Sequence, residues 1–206
     1  MDSFPAIEID KVKAWDFRLI DENTAESLNV AYGVDSNYLD GVGVSITSIV
    51  INNRHVNLDF YIIADVYNDD FFQKVEKLAE QYQLRITLYR INTDNLQCLP
   101  CTQVWSRAMY FRLFAFQLLG VTLNRLLYLD ADVVCKGNIS QLLHLEFNGA
   151  VAAVVRDVDP MQEKAVVRLS DPELRGQYFN SGVVYLDLKK MDRSKTNRKS
   201  TVYSYE

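Results

Sequence analysis

Three observations predict an α/β fold with a mainly parallel sheet and helices on both faces. Strand-like and helix-like segments alternate from about residue 27, the order that builds βαβ units. The strand segments are short apolar runs, of which residues 58–64 are the clearest, as expected of strands covered on both sides. The segments between them carry helical periodicity, which parallel crossovers require.

Residues 28–34 read as the first strand. Residues 38–51 follow as a helix, despite β-branched Val and Ile with their lower helix propensity. Residues 58–64 are a strand, 69–82 a helix, and 84–91 an alternating strand. Residues 106–119 predict a strongly apolar helix stopped by Gly120. Residues 125–129 form the central strand, 138–145 a short helix, 149–155 a buried strand, and 178–188 a last strand around Ser181-Gly182. Residues 1–26 fall outside the pattern as a short amino-terminal extension. Residues 191–206 show neither periodicity and are rich in Lys, Arg, Ser and Thr, which predicts disorder.

With 206 residues, 49% hydrophobic and 24% charged, the chain can bury one substantial core. Its net charge of −5 argues against a general nucleic-acid binder. The amino terminus has an early acid and no apolar core, so it does not read as a signal peptide, and no apolar run would span a bilayer. A cytoplasmic protein is expected. Cys98-Leu99-Pro100-Cys101 is a CxxC, open to redox or zinc chemistry, but no second pair exists. With only His55 and His144 besides Cys135, four zinc ligands are hard to assemble, and reduced thiols are expected. His144 reads as a packed or half-buried helical residue and His55 as part of a polar connection.

Chemistry concentrates in three places. The apolar run of residues 126–129 ends in Asp130-Ala131-Asp132. In a strand, positions two apart project to one side, and paired carboxylates are costly without a cation or a proton between them. Strand carboxyl ends are where open α/β sheets bind ligands. Hard oxygen ligands suit Mg²⁺ or Mn²⁺ with a diphosphate. A solvated strand end remains the plain alternative. Gly33, Asp35 and Asn37 follow the first strand: Gly33 permits close backbone approach, and Asp35 and Asn37 either bind a base or ribose or simply cap a helix. Arg112 lies on an otherwise apolar helix, either snorkelling to solvent or neutralising a diphosphate or a strand-end aspartate.

The segments NVAYGVDSNY, MYFRL, RLLYLDADVV and QYFNSGVVYLDLKK, in this order, resemble bacterial members of glycosyltransferase family 8. Within it they are most similar to the lipopolysaccharide core glucosyl- and galactosyltransferases. The resemblance runs from about residue 8 to Lys190 and implies a GT-A (Rossmann-like) nucleotide-sugar-binding and catalytic domain over residues 27–190. It implies a retaining transfer of glucose or galactose from a UDP-sugar, with Mg²⁺ or Mn²⁺, to the lipopolysaccharide core at the membrane surface. An enzyme of this kind would be cytoplasmic, at the inner face of the inner membrane. Gly33, Asp35 and Asn37 then match the nucleoside loop, Arg112 a donor-binding arginine, and Asp130 and Asp132 the metal-binding DxD. Ala131 lies near the ribose, and Asp157 and Asn180 match donor-sugar contacts, while a strand-end turn role stays open for Asp157, which follows the strand at residues 149–155. The family pattern continues past Lys190 with a later metal-binding histidine, and no histidine follows His144 here. The expectation is therefore a domain incomplete at its carboxyl end, with residues 191–206 outside the family pattern. Codons can be chosen so that an adjacent frame over this tail encodes a helix-compatible peptide, as a frameshift near Lys190 would produce. Two alternatives stay open: an inactive UDP-sugar-binding remnant, and a DxD phosphatase with Asp130 as nucleophile.

Overall fold

The computed structural model describes residues 8–19, 26–101, 106–191 and 202–205. In chain order the strands are β1 (Ile9–Asp16), β2 (Leu28–Val34), β3 (Leu58–Ala64), β4 (Arg85–Ile91), β5 (Arg125–Leu129), β6 (Ala152–Arg156), β7 (Phe179–Asp187) and β8 (Val202–Tyr205). The helices are α1 (Leu39–Asn52), α2 (Asp69–Tyr82), α3 (Phe111–Leu119) and α4 (Asp159–Leu169). All the strands join one sheet in the order β1-β4-β3-β2-β5-β7-β6-β8.

The sheet is parallel through β4, β3, β2 and β5. β7 runs antiparallel to both β5 and β6. This reversal sets the amino end of β7 beside the carboxyl ends of β5 and β6, where the site forms. Side chains alternate across the sheet with period two. Val30, Tyr32, Phe60, Ile62 and Leu127 pack on one face with Ile46 and Ile49 of α1 and Phe71 and Val75 of α2. Ala31, Tyr61, Ile63, Leu126 and Tyr128 pack on the other with Phe111, Phe114 and Ala115 of α3. Helices thus cover both faces, as the sequence predicts.

Local chemistry explains the element ends. Asn68 caps α2 by accepting from Phe71 N at 2.7 Å, and Asp69 and Asp70 in its first turn suit the positive end of the helix dipole. α3 is shorter than expected: residues 107–110 form a 3₁₀ turn capped by Ser106 before it. Gly120 closes α3 at a right-handed φ of −64°, not as a left-handed cap. Its need for glycine is crowding, since a Cβ there would lie 2.7 Å from Phe116 O. The short helix expected over 138–145 is a 3₁₀ turn, Ser140–His144, and His144 is exposed, not packed.

Three elements were not foreseen. β1 pairs antiparallel with β4 at a sheet edge; nearly all of its residues are at least partly exposed, so hydrophobic alternation is absent. α4 begins with Pro160 in its first turn, a recognisable start signal. β8 corrects the expectation of disorder for residues 202–205, which pair parallel with β6. Their Val and Tyr content favours strand, and the β6 edge supplies unpaired backbone groups. The rest of that tail, 192–201 and 206, lies outside the described residues, as do residues 1–7 and 20–25 of the expected amino-terminal extension.

Candidate active site at the carboxyl ends of β2 and β5

Gly33, Asp35, Arg112, Asp130, Ala131 and Asp132 line one cleft of about 260 Å³ at the carboxyl ends of β2 and β5. β5 stops at Leu129, so Asp130 and Asp132 stand in the turn after the strand, closed by Val133 N on Asp130 O at 3.2 Å. A turn, and not strand alternation, sends both carboxylates to the same cleft. The turn packs under α1, where a Cβ on Gly41 would lie 3.0 Å from Ala131 O.

Arg112 does not snorkel. Its Nη2 donates to Asp130 Oδ1 at 3.0 Å, its Nη1 to Ser181 O at 2.5 Å, and its Nε to Met109 O at 3.0 Å. Its guanidinium lies 5.1 Å from the Tyr128 ring centroid, a cation–π arrangement. Tyr128 is itself fully buried, held edge-on by Phe116 at 5.6 Å. Burial lifts the Asp130 carboxyl above its ordinary value; Arg112 opposes that shift and Asp132 adds to it. Asp132 is exposed, and no hydrogen bond to it occurs among the described residues.

The donor set fits a divalent cation in part. Two hard carboxylates face one cleft, and the Asp132 charge adds to the cost of ionising Asp130, a cost that a bound cation would relieve. Among the described residues no third His, Cys, Asp or Glu joins them. Mg²⁺ and Mn²⁺ accept such sparse protein ligation because water and phosphate oxygens complete their shell.

Asp35 caps the turn that follows β2, accepting from Asn37 N at 3.0 Å, so its capping role is present. Its other oxygen accepts from Ser106 Oγ at 2.8 Å. Asn37 lines an adjoining cleft of about 340 Å³ together with Asp65. Asp65 was missed, yet it stands directly after β3 just as Asp35 follows β2 and Asp130 follows β5, so the same signal marks it. Burial raises its carboxyl pKa, with Asp35 pushing the same way. Glycine at position 33 is accounted for by packing, because a Cβ would lie 2.8 Å from Phe111 Cβ.

Asp157 and Asn180 do not line the main cleft but sit on its β6–β7 side. Asp157 Oδ1 accepts from Val158 N at 2.8 Å, the strand-end turn that its position allows. Asn180 Oδ1 accepts from Gly182 N at 2.8 Å, and Asp130 N donates to Gly182 O at 2.8 Å. A Cβ on Gly182 would fall 2.8 Å from Asp130 Oδ2 and 3.0 Å from Asn180 Oδ1. Gly182 is therefore the residue that lets the two polar groups approach. Its place between Ser181 and the apolar Val183-Val184 was the available signal. Cys98 and Cys101 are free and exposed.

Comparison with known proteins identifies the family and the fold. Residues 29–204 match the glycosyl transferase family 8 model. The chain is 85% identical over 97% of its length to a lipopolysaccharide 1,2-glucosyltransferase of Escherichia coli, of which it spans 59%. It is 37% identical over 84% of its length to a lipopolysaccharide 1,3-galactosyltransferase of Salmonella typhimurium, spanning 52% of that protein. The crystal structure of the galactosyltransferase LgtC with donor and acceptor sugar analogues superposes with a TM-score of 0.69 at 20% identity, covering 81% of this chain and 60% of LgtC. That likeness establishes the GT-A fold. With the family model matching most of its length, the chain belongs to glycosyl transferase family 8.

Proposed function

We propose that this chain carries the donor site of a retaining hexosyltransferase that moves glucose or galactose from a UDP-sugar to the lipopolysaccharide core. The observation that carries the reading is the convergence of Arg112, Asp130 and Asp132 on one cleft with the Asp35 loop beside it. The two bacterial relatives, a lipopolysaccharide glucosyltransferase and a lipopolysaccharide galactosyltransferase, suggest the acceptor and the sugar classes.

In this reading Asp35 and Asn37 bind the nucleoside, and Ala131 faces the ribose. Asp130 and Asp132 would hold Mg²⁺ or Mn²⁺, which would supply positive charge to offset that of the diphosphate. Arg112 shares its fork between Asp130 and Ser181 O, so it is pre-set at the edge of the cleft to meet a phosphate or sugar oxygen. Asn180 keeps its amide N–H groups without a protein partner among the described residues and offers them to the sugar. Asp157 stands at the neighbouring strand end to receive a sugar hydroxyl. Together these residues orient the anomeric carbon for attack by the acceptor hydroxyl.

No helix among the described residues is long and apolar enough to cross a membrane; the acceptor is met from the cytoplasmic side, at the inner face of the inner membrane. A donor panel tests the proposal. UDP-glucose and UDP-galactose are offered with Mn²⁺ and a truncated lipopolysaccharide acceptor, and transfer is read by mass spectrometry. Metal-dependent transfer from either supports the reading. Binding without transfer leaves an inactive UDP-sugar-binding remnant, and metal-independent phosphate release would overturn the reading in favour of a phosphatase.

A further inference from the structure

Gln162 of α4 is only 3% exposed. A buried amide is costly unless its hydrogen bonds are made. Here every one is made to backbone. Its Nε2 donates to Asp157 O at 2.8 Å and to Tyr178 O at 2.6 Å, and its Oε1 accepts from Tyr178 N at 2.9 Å. The last regular pair of the β6–β7 ladder is Arg156 with Phe179. One bond lies beyond it, Asp157 N to Tyr178 O at 3.1 Å. There the two strands part, one into α4 and the other towards residue 171. The Gln162 amide takes the place of a third strand, supplying donors and an acceptor where no peptide group is available.

We propose that Gln162 is a positioning residue that locks the Asp157 turn to the start of β7 and so sets the sugar-facing edge of the donor site. The proposal rests on the nucleotide-sugar reading above. The bonded path reaches the sugar side of the cleft: Gln162 holds Tyr178, and Asn180 two residues on holds Gly182 N. The side-chain chemistry is specific. Glutamate has the same shape but cannot donate to two carbonyls, and methionine fills the space with no bonds.

Two measurements test it. Amide hydrogen exchange on the unmodified chain reads the lock without any ligand: Asp157 and Tyr178 amides are expected to be as protected as those of β5. In Gln162→Met these two amides exchange about tenfold faster while β5 amides do not change; in Gln162→Glu, which keeps an acceptor for Tyr178 N but no donor for the two carbonyls, the Asp157 amide alone exchanges about tenfold faster. Calorimetric titration with Mn²⁺ then compares UDP with UDP-glucose and UDP-galactose. The variants keep UDP affinity, set at the Asp35–Asp130 end, and lose about tenfold in whatever extra affinity the sugar confers. Unprotected Asp157 and Tyr178 amides in the unmodified chain overturn the lock alone. Equal losses for UDP and UDP-sugar, together with a lower melting temperature, overturn a positioning role in favour of a purely structural one. An unmodified chain that does not bind UDP overturns the nucleotide-sugar reading and the positioning role with it.

Discussion

Two aspartates stand at opposite ends of the same sheet, each paired with arginine, and they are built to opposite purposes. Asp59, near the start of β3, is 1% exposed. One of its oxygens takes Arg18 Nη1 at 3.2 Å and the other takes Arg85 Nη2. Asp130, just after β5, retains 37% of its side-chain exposure and takes a single arginine, Arg112 at 3.0 Å. It also faces a second carboxylate, Asp132, whose charge disfavours its ionisation. Asp59 is saturated by two cations and lies in the wall of the sheet. Asp130 is left short of positive charge beside an open cleft. That deficit separates the proposed donor site from a structural ion pair.

The comparison makes its largest prediction in stability. Asp59→Ala leaves two arginines facing a buried gap and should cost about 3 kcal/mol in denaturant unfolding. Asp130→Ala should cost well under that, because solvent already reaches the site. Equal losses would erase the distinction. The effects reverse for ligand: Asp130→Ala or Asp132→Ala should weaken Mn²⁺-dependent UDP binding by about a hundredfold, about 2.7 kcal/mol, whereas Asp59→Asn, if folded, leaves it unchanged. Calorimetry of the three variants decides this.

Two subtler changes sharpen the picture. Gly182→Ala drives a methyl group towards Asp130 Oδ2 and Asn180 Oδ1, so UDP-sugar affinity should fall about tenfold with little change in stability. Tyr128→Phe keeps the ring beneath Arg112 and should bind nearly as the unmodified chain does. Tyr128→Leu removes the ring and should lose both stability and affinity. The smallest effect is in pH dependence without metal. The folded chain holds the Asp130 proton more tightly than the unfolded chain does. This group's contribution is therefore greatest below its ordinary value of 3.8 and declines as pH rises through the raised folded value. Asp130→Asn should gain stability relative to the unmodified chain as pH climbs through that window; a constant difference would contradict the shift.

Much of this was legible in the residues. The parallel core was readable because β2, β3 and β5 are apolar runs with period-two packing on both faces. β1 was not, because an edge strand exposed over most of its length carries no alternation. The antiparallel entry of β7 left no local mark, since strand direction depends on how the intervening chain packs. At the site, residue types and strand ends located Asp35, Arg112, Asp130 and Asp132. The cap made by Asp35 and the ion pair made by Arg112 were both among the options the sequence left open. Asp65 followed the same strand-end rule and was overlooked. Gln162 and Gly182 were hidden for a different reason: their roles arise from backbone groups distant in sequence, and no pattern in the chain announces them.

The central claim is that Asp130 and Asp132 form a cation-dependent diphosphate site. Its most direct test is calorimetric titration of UDP into the unmodified chain and into Asp130→Asn, each with Mn²⁺ and with EDTA. The account predicts binding in the unmodified chain with Mn²⁺ alone, and its loss in the variant and in EDTA. UDP binding of equal strength in all four titrations would contradict it.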